Sequence, residues 1–170
     1  RYRDETLADL VHPAAEERPG AAAIRFEGAV TDYASLRADA DAFARALERL
    51  GVGRGDRVAL LLPNCPQFVI AQLGAWLVGA IVAPINITYP DDDIAALLQR
   101  SGATTAVVLS PYYDRLKGIQ RRTAVRRVII AYVRDALPAI SSVLFRLLKE
   151  RADGHDSSPL GHDLRMRDLL

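Results

Sequence analysis

The sequence has almost no cysteine and almost no net charge. Cys65 is the only cysteine in the 170-residue chain, so an internal disulfide is impossible and a metal site built on thiolates is disfavoured. The formal net charge is +1, so no global field points to nucleic acid or to another acidic partner. No charged-then-apolar signal peptide opens the chain. These absences favour a cytoplasmic protein without a nucleic-acid partner.

Recognisable sites for a metal ion or a nucleotide are missing as well. His12, His155 and His162 have no cysteine or carboxylate partners at metal-ligand spacing. Aspartates 91–93 stand in a row, but successive helix residues point about 100° apart, so three in a row cannot converge on one ion. The glycines of GVGRG follow a helix and precede a strand, whereas a phosphate loop opens a helix. The residues alone predict no metal ligand, no cofactor ligand and no catalytic residue.

One long run, Phe68–Ile87, carries no charge. A membrane-spanning helix needs about 20 apolar residues, so the run has the required length. Gly79 and Pro84 interrupt it, however, and the β-branched pair between them favours a strand. We therefore predict a helix over about Pro66–Val78 and a strand at AIVAP, both buried in a soluble domain, and no membrane span.

Strands and helices alternate along the chain. The clearest helix begins at Asp32, a good N-cap, carries one apolar stripe and ends at Gly51. The segment AAAIRFEGAVT predicts a hairpin that turns at Glu27 and Gly28. Further strands are predicted at Arg57–Leu62, TTAVVLS and VRRVIIAYV. We expect an α/β fold with a mainly parallel sheet and helices on both faces.

The chain is long enough for one domain with a real core. We expect residues 1–170 to form a single α/β domain in which residues 152–163 are a polar loop. The sequence starts at Arg1 without a methionine and stops at Leu170, just after a helix-like start. Both ends look cut, so we expect an incomplete portion of a larger protein.

Cations are concentrated between positions 115 and 127, where no acid stands. This basic run consists of Arg115, Lys117, Arg121, Arg122, Arg126 and Arg127. An amphipathic segment, ALPAISSVLFRLLKER, follows it and contains Leu144, Phe145 and Leu148. Two interpretations stay open: a helix packed on the sheet beside a solvated basic loop, or a basic and apolar surface that touches anionic lipid.

A series of short motifs resembles a known enzyme family. The matching residues are Gly51-Val52, Gly55 to Ala59, Leu62 to Asn64, Phe68, Leu73 to Ala75, Gly79-Ala80, Pro84, Asn86 and Ser101 to Ala103. In this order and spacing, the chain resembles the N-terminal part of the adenylate-forming acyl-activating enzymes, the AMP-dependent synthetases and ligases. Residues Tyr112 to Arg151 resemble the long-chain fatty-acid–CoA ligases among them. Ser35 departs from the pattern, which often has glutamate there, so the capping box is lost while the Asp32 cap remains.

The resemblance implies a reaction that joins a carboxylate to ATP, releases pyrophosphate and passes the acyl group to the CoA thiol, with ATP, Mg²⁺ and CoA as cofactors. The family's phosphate loop ending in Pro-Lys-Gly is not in this sequence. Neither is the aspartate that holds the ATP ribose, nor the lysine of the mobile C-terminal lid. We therefore expect the N-terminal subdomain of a fatty-acid–CoA ligase that is inactive and binds no cofactor on its own.

The resemblance also implies partners. They are the remainder of the same polypeptide, a fatty acid substrate and, as open alternatives, a second copy in a homodimer and the surface of a membrane. Two other functions stay open. One is an acyl-AMP ligase that loads a carrier protein, and the other is a stand-alone, non-catalytic binding or lipid-surface module.

Overall fold

The computed structural model of the chain describes residues 11–138 and 159–170. The α-helices are α1 Val11–Glu17, α2 Tyr33–Arg49, α3 Pro66–Leu77, α4 Asp91–Ser101 and α5 Tyr113–Ile119. The strands are β1 Ala22–Phe26, β2 Ala29–Asp32, β3 Arg57–Leu61, β4 Ile81–Pro84, β5 Thr105–Leu109, β6 Arg127–Ala131 and β7 Leu164–Arg165. Short 3-10 turns follow β5, α5, β6 and β7.

Local sequence signals account for the first half of the fold. Strands β1 and β2 pair as an antiparallel hairpin, and its turn residues Glu27 and Gly28 both have positive φ, at 47° and 81°, as a type I′ turn requires. The Asp32 carboxylate accepts a hydrogen bond from the Ser35 amide at 2.7 Å and caps α2. The predicted hairpin and the predicted helix cap are both confirmed.

The main sheet is five-stranded and parallel throughout, in the order β4-β3-β5-β6-β7. At its centre, Ala59 of β3 lies opposite Ala106 of β5, which lies opposite Val128 of β6. The two-stranded hairpin forms a separate sheet. The predicted fold class, a mainly parallel sheet in an α/β domain, is confirmed.

Both faces of the sheet are buried. Because side chains alternate along a strand, Val58 and Leu60 face one core, while Ala59 and Leu61 face the other. Helices α2 and α3 cover the first face and helices α4 and α5 cover the second. The central strands β3, β5 and β6 carry runs of buried apolar residues because neither face of these three strands meets water.

Strand β4 corrects one expectation. It lies at the edge of the sheet and pairs only with β3. The prediction that this strand is buried is therefore wrong. The side chain of Ile81 is 51% exposed, and Val82 and Leu77 are only partly buried. Among the described residues no helix is long and apolar enough to cross a membrane, which agrees with the split of the run Phe68–Ile87 into a helix and a strand.

The C-terminal segment also differs from the prediction. Residues 159–163 end the predicted polar loop, but the side chain of Asp163 is an anchor, only 8% exposed, rather than a solvated group. Its carboxylate accepts a hydrogen bond from the Tyr113 hydroxyl at 2.6 Å and pairs with the Lys117 ammonium at 2.9 Å. This anchor precedes β7, which joins the sheet beside β6 and was not predicted. Most of the predicted amphipathic helix, and residues 152–158 of the loop, lie outside the described residues.

Helices α2 and α3 lie close together at Gly74. A Cβ atom at this position would lie 2.9 Å from the Phe43 ring, 3.0 Å from the Ala40 carbonyl oxygen and 3.1 Å from the Ala44 nitrogen. Two of these neighbours are backbone atoms of α2, which cannot move aside without moving the helix. The absence of a side chain at Gly74 therefore sets the distance between the two helices.

We predict that Gly74→Ala lowers the free energy of unfolding by about 1–2 kcal/mol, because the overpacking cost exceeds the gain in helix propensity. Gly118→Ala is the matched control, since Gly118 lies in α5 with nothing within 4 Å of an added Cβ. It should raise stability by about 0.5–1 kcal/mol. Urea unfolding of both variants measures the difference, and equal effects at the two positions would contradict the close approach.

Candidate functional site

A candidate binding feature lies at the carboxyl edge of the parallel sheet, where open α/β sheets bind their ligands. The start of α3 and the segments after β6 and β7 enclose a cleft of about 510 Å³ at this edge. Its polar lining residues include Asp39, Gln67, Arg134, Asp135 and Arg167, and Ile70 and Met166 are among the apolar ones. We call this feature the carboxyl-edge cleft.

Gln67 connects two elements at the base of the cleft. Its side chain is buried, and Nε2 donates a hydrogen bond of 2.8 Å to the carbonyl oxygen of Tyr132, just beyond the end of β6. Within the described part of the chain, its Oε1 has no hydrogen-bond partner. Gln67 thus connects the start of α3 to the end of β6 through Nε2, while its Oε1 is a buried acceptor without a donor in the described part of the chain.

A second wall of the cleft, formed by the segments after β6 and β7, carries charged groups that pair with each other. The Asp135 carboxylate lies 4.0 Å from Nε of Arg134 and 3.7 Å from Nη1 of Arg167. Burial raises the pKa of Asp135, and Arg134 and Arg167 oppose that rise. The Arg134 guanidinium also lies 4.4 Å from the centre of the Tyr132 ring. This wall is an ion-paired surface with both signs of charge, suited to contact with another polar group.

Two side chains that could act as nucleophiles, Cys65 and Tyr113, both have raised pKa values. Burial raises the pKa of the Cys65 thiol, and burial together with the Asp163 hydrogen bond raises the pKa of Tyr113 to about 12. A thiol or phenol that keeps its proton is a poor nucleophile. Among the described residues no three His, Cys, Asp or Glu side chains are grouped to hold a metal ion.

Three of the six cations of the basic run, Arg115, Lys117 and Arg122, pair with aspartates of the same domain. Arg115 donates hydrogen bonds to the Asp91 carboxylate at 2.8 Å and to the backbone carbonyls of Ile87 and Tyr89. Arg122 pairs with Asp92 at 2.8 Å. The aspartates at the start of α4 thus hold α5 and the turn after it, a role that the sequence did not predict. No local signal could reveal it, because the partners are 24 and 30 positions apart.

The remaining lipid-contact candidates do not share one environment. Lys117 pairs with Asp163, as described above, while Arg121, Arg126 and Arg127 are exposed. Leu144, Phe145 and Leu148 lie outside the described residues. The structure does not gather the predicted lipid-contact residues into one described surface, and lipid contact stays a prediction.

Comparison with known proteins assigns the family. A family model described as AMP-binding enzyme matches residues 11–163. The chain belongs to this family. It is 28% identical over 148 residues to the long-chain-fatty-acid–CoA ligase of Bacillus subtilis, a match that covers 87% of the chain and 26% of that ligase. It is 34% identical over 120 residues to a crotonobetaine/carnitine–CoA ligase of Salmonella paratyphi A, over 70% of the chain and 23% of that enzyme.

A solved structure agrees with the sequence comparisons. The fold matches a candidate long-chain-fatty-acid CoA ligase from Rhodopseudomonas palustris with a TM-score of 0.76 and 26% identity, over 98% of the chain and 36% of that protein. The chain spans about a quarter of the length of the two curated relatives in the sequence comparison. The resemblance to adenylate-forming enzymes is confirmed, and so is its fold.

Asp39 and Asp32 contribute in opposite directions to the pH dependence of folding stability. Burial raises the pKa of Asp39, which lines the cleft, so its ionisation in the folded state costs stability as pH rises. The backbone hydrogen bond from Ser35 lowers the pKa of Asp32, so its contribution is present at neutral pH and is lost as pH falls.

We predict that Asp39→Asn melts like the wild type at about pH 3, below the ordinary aspartate pKa of about 3.9, and melts at a higher temperature at pH 7. Asp32→Asn should melt at a lower temperature than the wild type at pH 7, with a difference that shrinks in acid. Thermal melts from pH 3 to 7 check both trends. A stability gain for Asp39→Asn that does not change with pH would show that burial of its charge is not the cause.

Proposed function

We propose that the protein built on this chain is an ATP-dependent acid–thiol ligase that joins a fatty acid to CoA. The observation that carries the proposal is the family match over residues 11–163. The Bacillus subtilis relative, itself named a long-chain-fatty-acid–CoA ligase, aligns with 87% of the chain and supports the fatty acid as substrate. The reaction would form an acyl-adenylate and pyrophosphate first, and then acyl-CoA and AMP.

The chain's own residues do not fit the cofactors of this reaction. The described residues lack a group of acids that could hold Mg²⁺, and the 170 residues lack the glycine-, serine- and threonine-rich phosphate loop. The glycines of GVGRG do not replace that loop, because Gly51 and Gly55, with φ of 76° and 85°, form the end of α2 and the turn into β3. We infer that no step through ATP, Mg²⁺ or CoA takes place on this chain alone.

The role that we propose for the chain is that of a rigid platform. The sheet, closed on both faces, holds the carboxyl-edge cleft in one shape, and Gln67 locks the two elements at its base. We propose that the remainder of the ligase is the partner that packs at this cleft. The ion-paired wall at Asp135 and the exposed Leu170 offer polar and apolar contacts to such a partner. The ligase would act in the cytoplasm.

Activity of the complete protein tests the proposal. With ATP, Mg²⁺ and CoA, we expect it to convert palmitate to palmitoyl-CoA and to release one AMP and one pyrophosphate for each product. Crotonobetaine and carnitine are the matched alternative acids, because a relative of similar identity is named for them. Activity on those acids without activity on palmitate would overturn the fatty-acid assignment, and no AMP release with any acid would overturn the ligase.

The isolated 170-residue chain should be silent in the same assays. We predict no exchange of labelled pyrophosphate into ATP and no micromolar ATP binding by calorimetry, because the phosphate-cradling loop is not in its sequence. Tight ATP binding by a chain with a native circular dichroism spectrum would show that nucleotide contacts lie within these residues.

A further inference from the structure

The amino edge of the sheet gathers arginines that are distant in sequence. In a parallel α/β fold the strands begin, and the helices before them end, at the same edge. In this chain Arg49 ends α2, Arg57 begins β3 and Arg127 begins β6. Arg54 and Arg126 stand in the turns that lead into β3 and β6. We call these five arginines, together with Ile81 at the start of β4, the amino-edge patch.

Two close approaches connect arginines of the patch with neighbouring turns. A Cβ placed on Gly51 would lie 3.9 Å from Nη2 of Arg127, so this guanidinium reaches the end of α2. A Cβ placed on Gly79 would lie 3.3 Å from atoms of Arg54, so Arg54 covers the turn into β4. Arg127 thus lies beside the end of α2, and Arg54 lies beside the turn into β4.

The charge of the patch is not neutralised within the domain. All five arginines are exposed, and in the described part of the chain none of them has an acidic partner, in contrast to Arg115 and Arg122. Among the described residues, Glu48 and Asp56 are acids next to these arginines in the sequence, and the Asp56 carboxylate accepts a hydrogen bond from the Gly53 amide at 2.9 Å. A local excess of positive charge remains on a chain whose formal net charge is only +1.

Ile81 indicates which kind of anion would suit this surface. It is a β-branched apolar residue, 51% exposed, and it lies opposite Arg57 in the β3–β4 register. Among polyanions, a bilayer is the one that has an apolar layer directly beneath its negative groups. Exposed apolar side chains surrounded by cations are typical of proteins that lie on such a surface.

We propose that the amino-edge patch is a peripheral contact with anionic phospholipid. This surface is not the basic run predicted from the sequence. It omits Arg115, Lys117 and Arg122, which pair with aspartates of the domain, and also the exposed Arg121. It adds Arg49, Arg54 and Arg57, from the end of α2, the turn before β3 and the start of β3. The proposal goes beyond the ligase activity and does not depend on it. Because the patch and the carboxyl-edge cleft lie at opposite ends of the strands, the cleft faces away from the lipid.

Vesicle co-sedimentation of the 170-residue chain tests the proposal. We expect binding to vesicles of phosphatidylcholine with phosphatidylglycerol and little binding to phosphatidylcholine alone. Salt should weaken it, because the Debye length falls from about 10 Å at 0.1 M to about 3 Å at 1 M. Equal binding to both kinds of vesicle, or binding to neither, overturns the proposal. So does capture by soluble polyphosphate or duplex DNA that is as tight as capture by anionic vesicles.

Matched variants locate the contact. Arg57→Gln with Arg127→Gln should weaken binding to anionic vesicles by about tenfold or more, since each cation near the surface contributes roughly fivefold. The pair Arg54→Gln with Arg126→Gln repeats the test if the first pair melts early. Arg18→Gln with Arg25→Gln removes the same charge from exposed positions outside the patch and should change binding little.

The apolar member of the patch is tested separately. Ile81→Ser should weaken binding several-fold at both salt concentrations, whereas Val30→Ser, at a position that is 56% exposed on the hairpin, should leave it unchanged. Equal losses in the patch variants and their controls, with unchanged melting temperatures, would show that net charge and general hydrophobicity cause the binding and would overturn the assignment.

Discussion

The burial of three central strands on both faces is the constraint on which the rest of the structure depends. Strands β3, β5 and β6 have neighbours on both sides and helices above and below. Ile129 and Ile130, next to each other on β6, are both fully buried on opposite faces. Burying one such side chain contributes about 1.5–3 kcal/mol, so the two helical layers are needed together. Residues at either edge of the sheet are therefore held in place by strands that are packed on both faces.

The two edges of the sheet have different characters for a topological reason. All strands of the sheet run in one direction, so the chain enters every strand at one edge and leaves it at the other. The carboxyl edge supplies the buried Gln67 side chain and the ion-paired wall of the cleft. The amino edge supplies Arg49 from the end of α2, where a cation interacts favourably with the helix dipole, and arginines that precede or begin β3 and β6. This division underlies the two proposals made above, a partner at the carboxyl edge and an anionic lipid surface at the amino edge.

Features encoded locally could be predicted from the sequence, and those that depend on distant partners could not. The turn at Glu27 and Gly28 and the cap at Asp32 are set by residues within four positions, and both were predicted. The edge position of β4 depends on the strand order, which periodicity does not give. Strand β7 has only two residues and is preceded by the Tyr113–Asp163 bond across 50 positions. At the candidate site, no pattern near Gln67 indicates that its partner is 65 positions away. The family itself could be recognised because its motifs keep their order along the chain.

Native-state hydrogen exchange of the 170-residue chain tests most directly whether the doubly covered strands hold this domain together. We predict that the amides of residues 58–61, 105–109 and 127–131 exchange most slowly, with similar opening free energies, because they open only when the domain unfolds. The β1–β2 hairpin and the edge strands β4 and β7 should exchange faster. Exchange of the three central strands at the rate of the hairpin, while the helices stay protected, would contradict the central role of these strands.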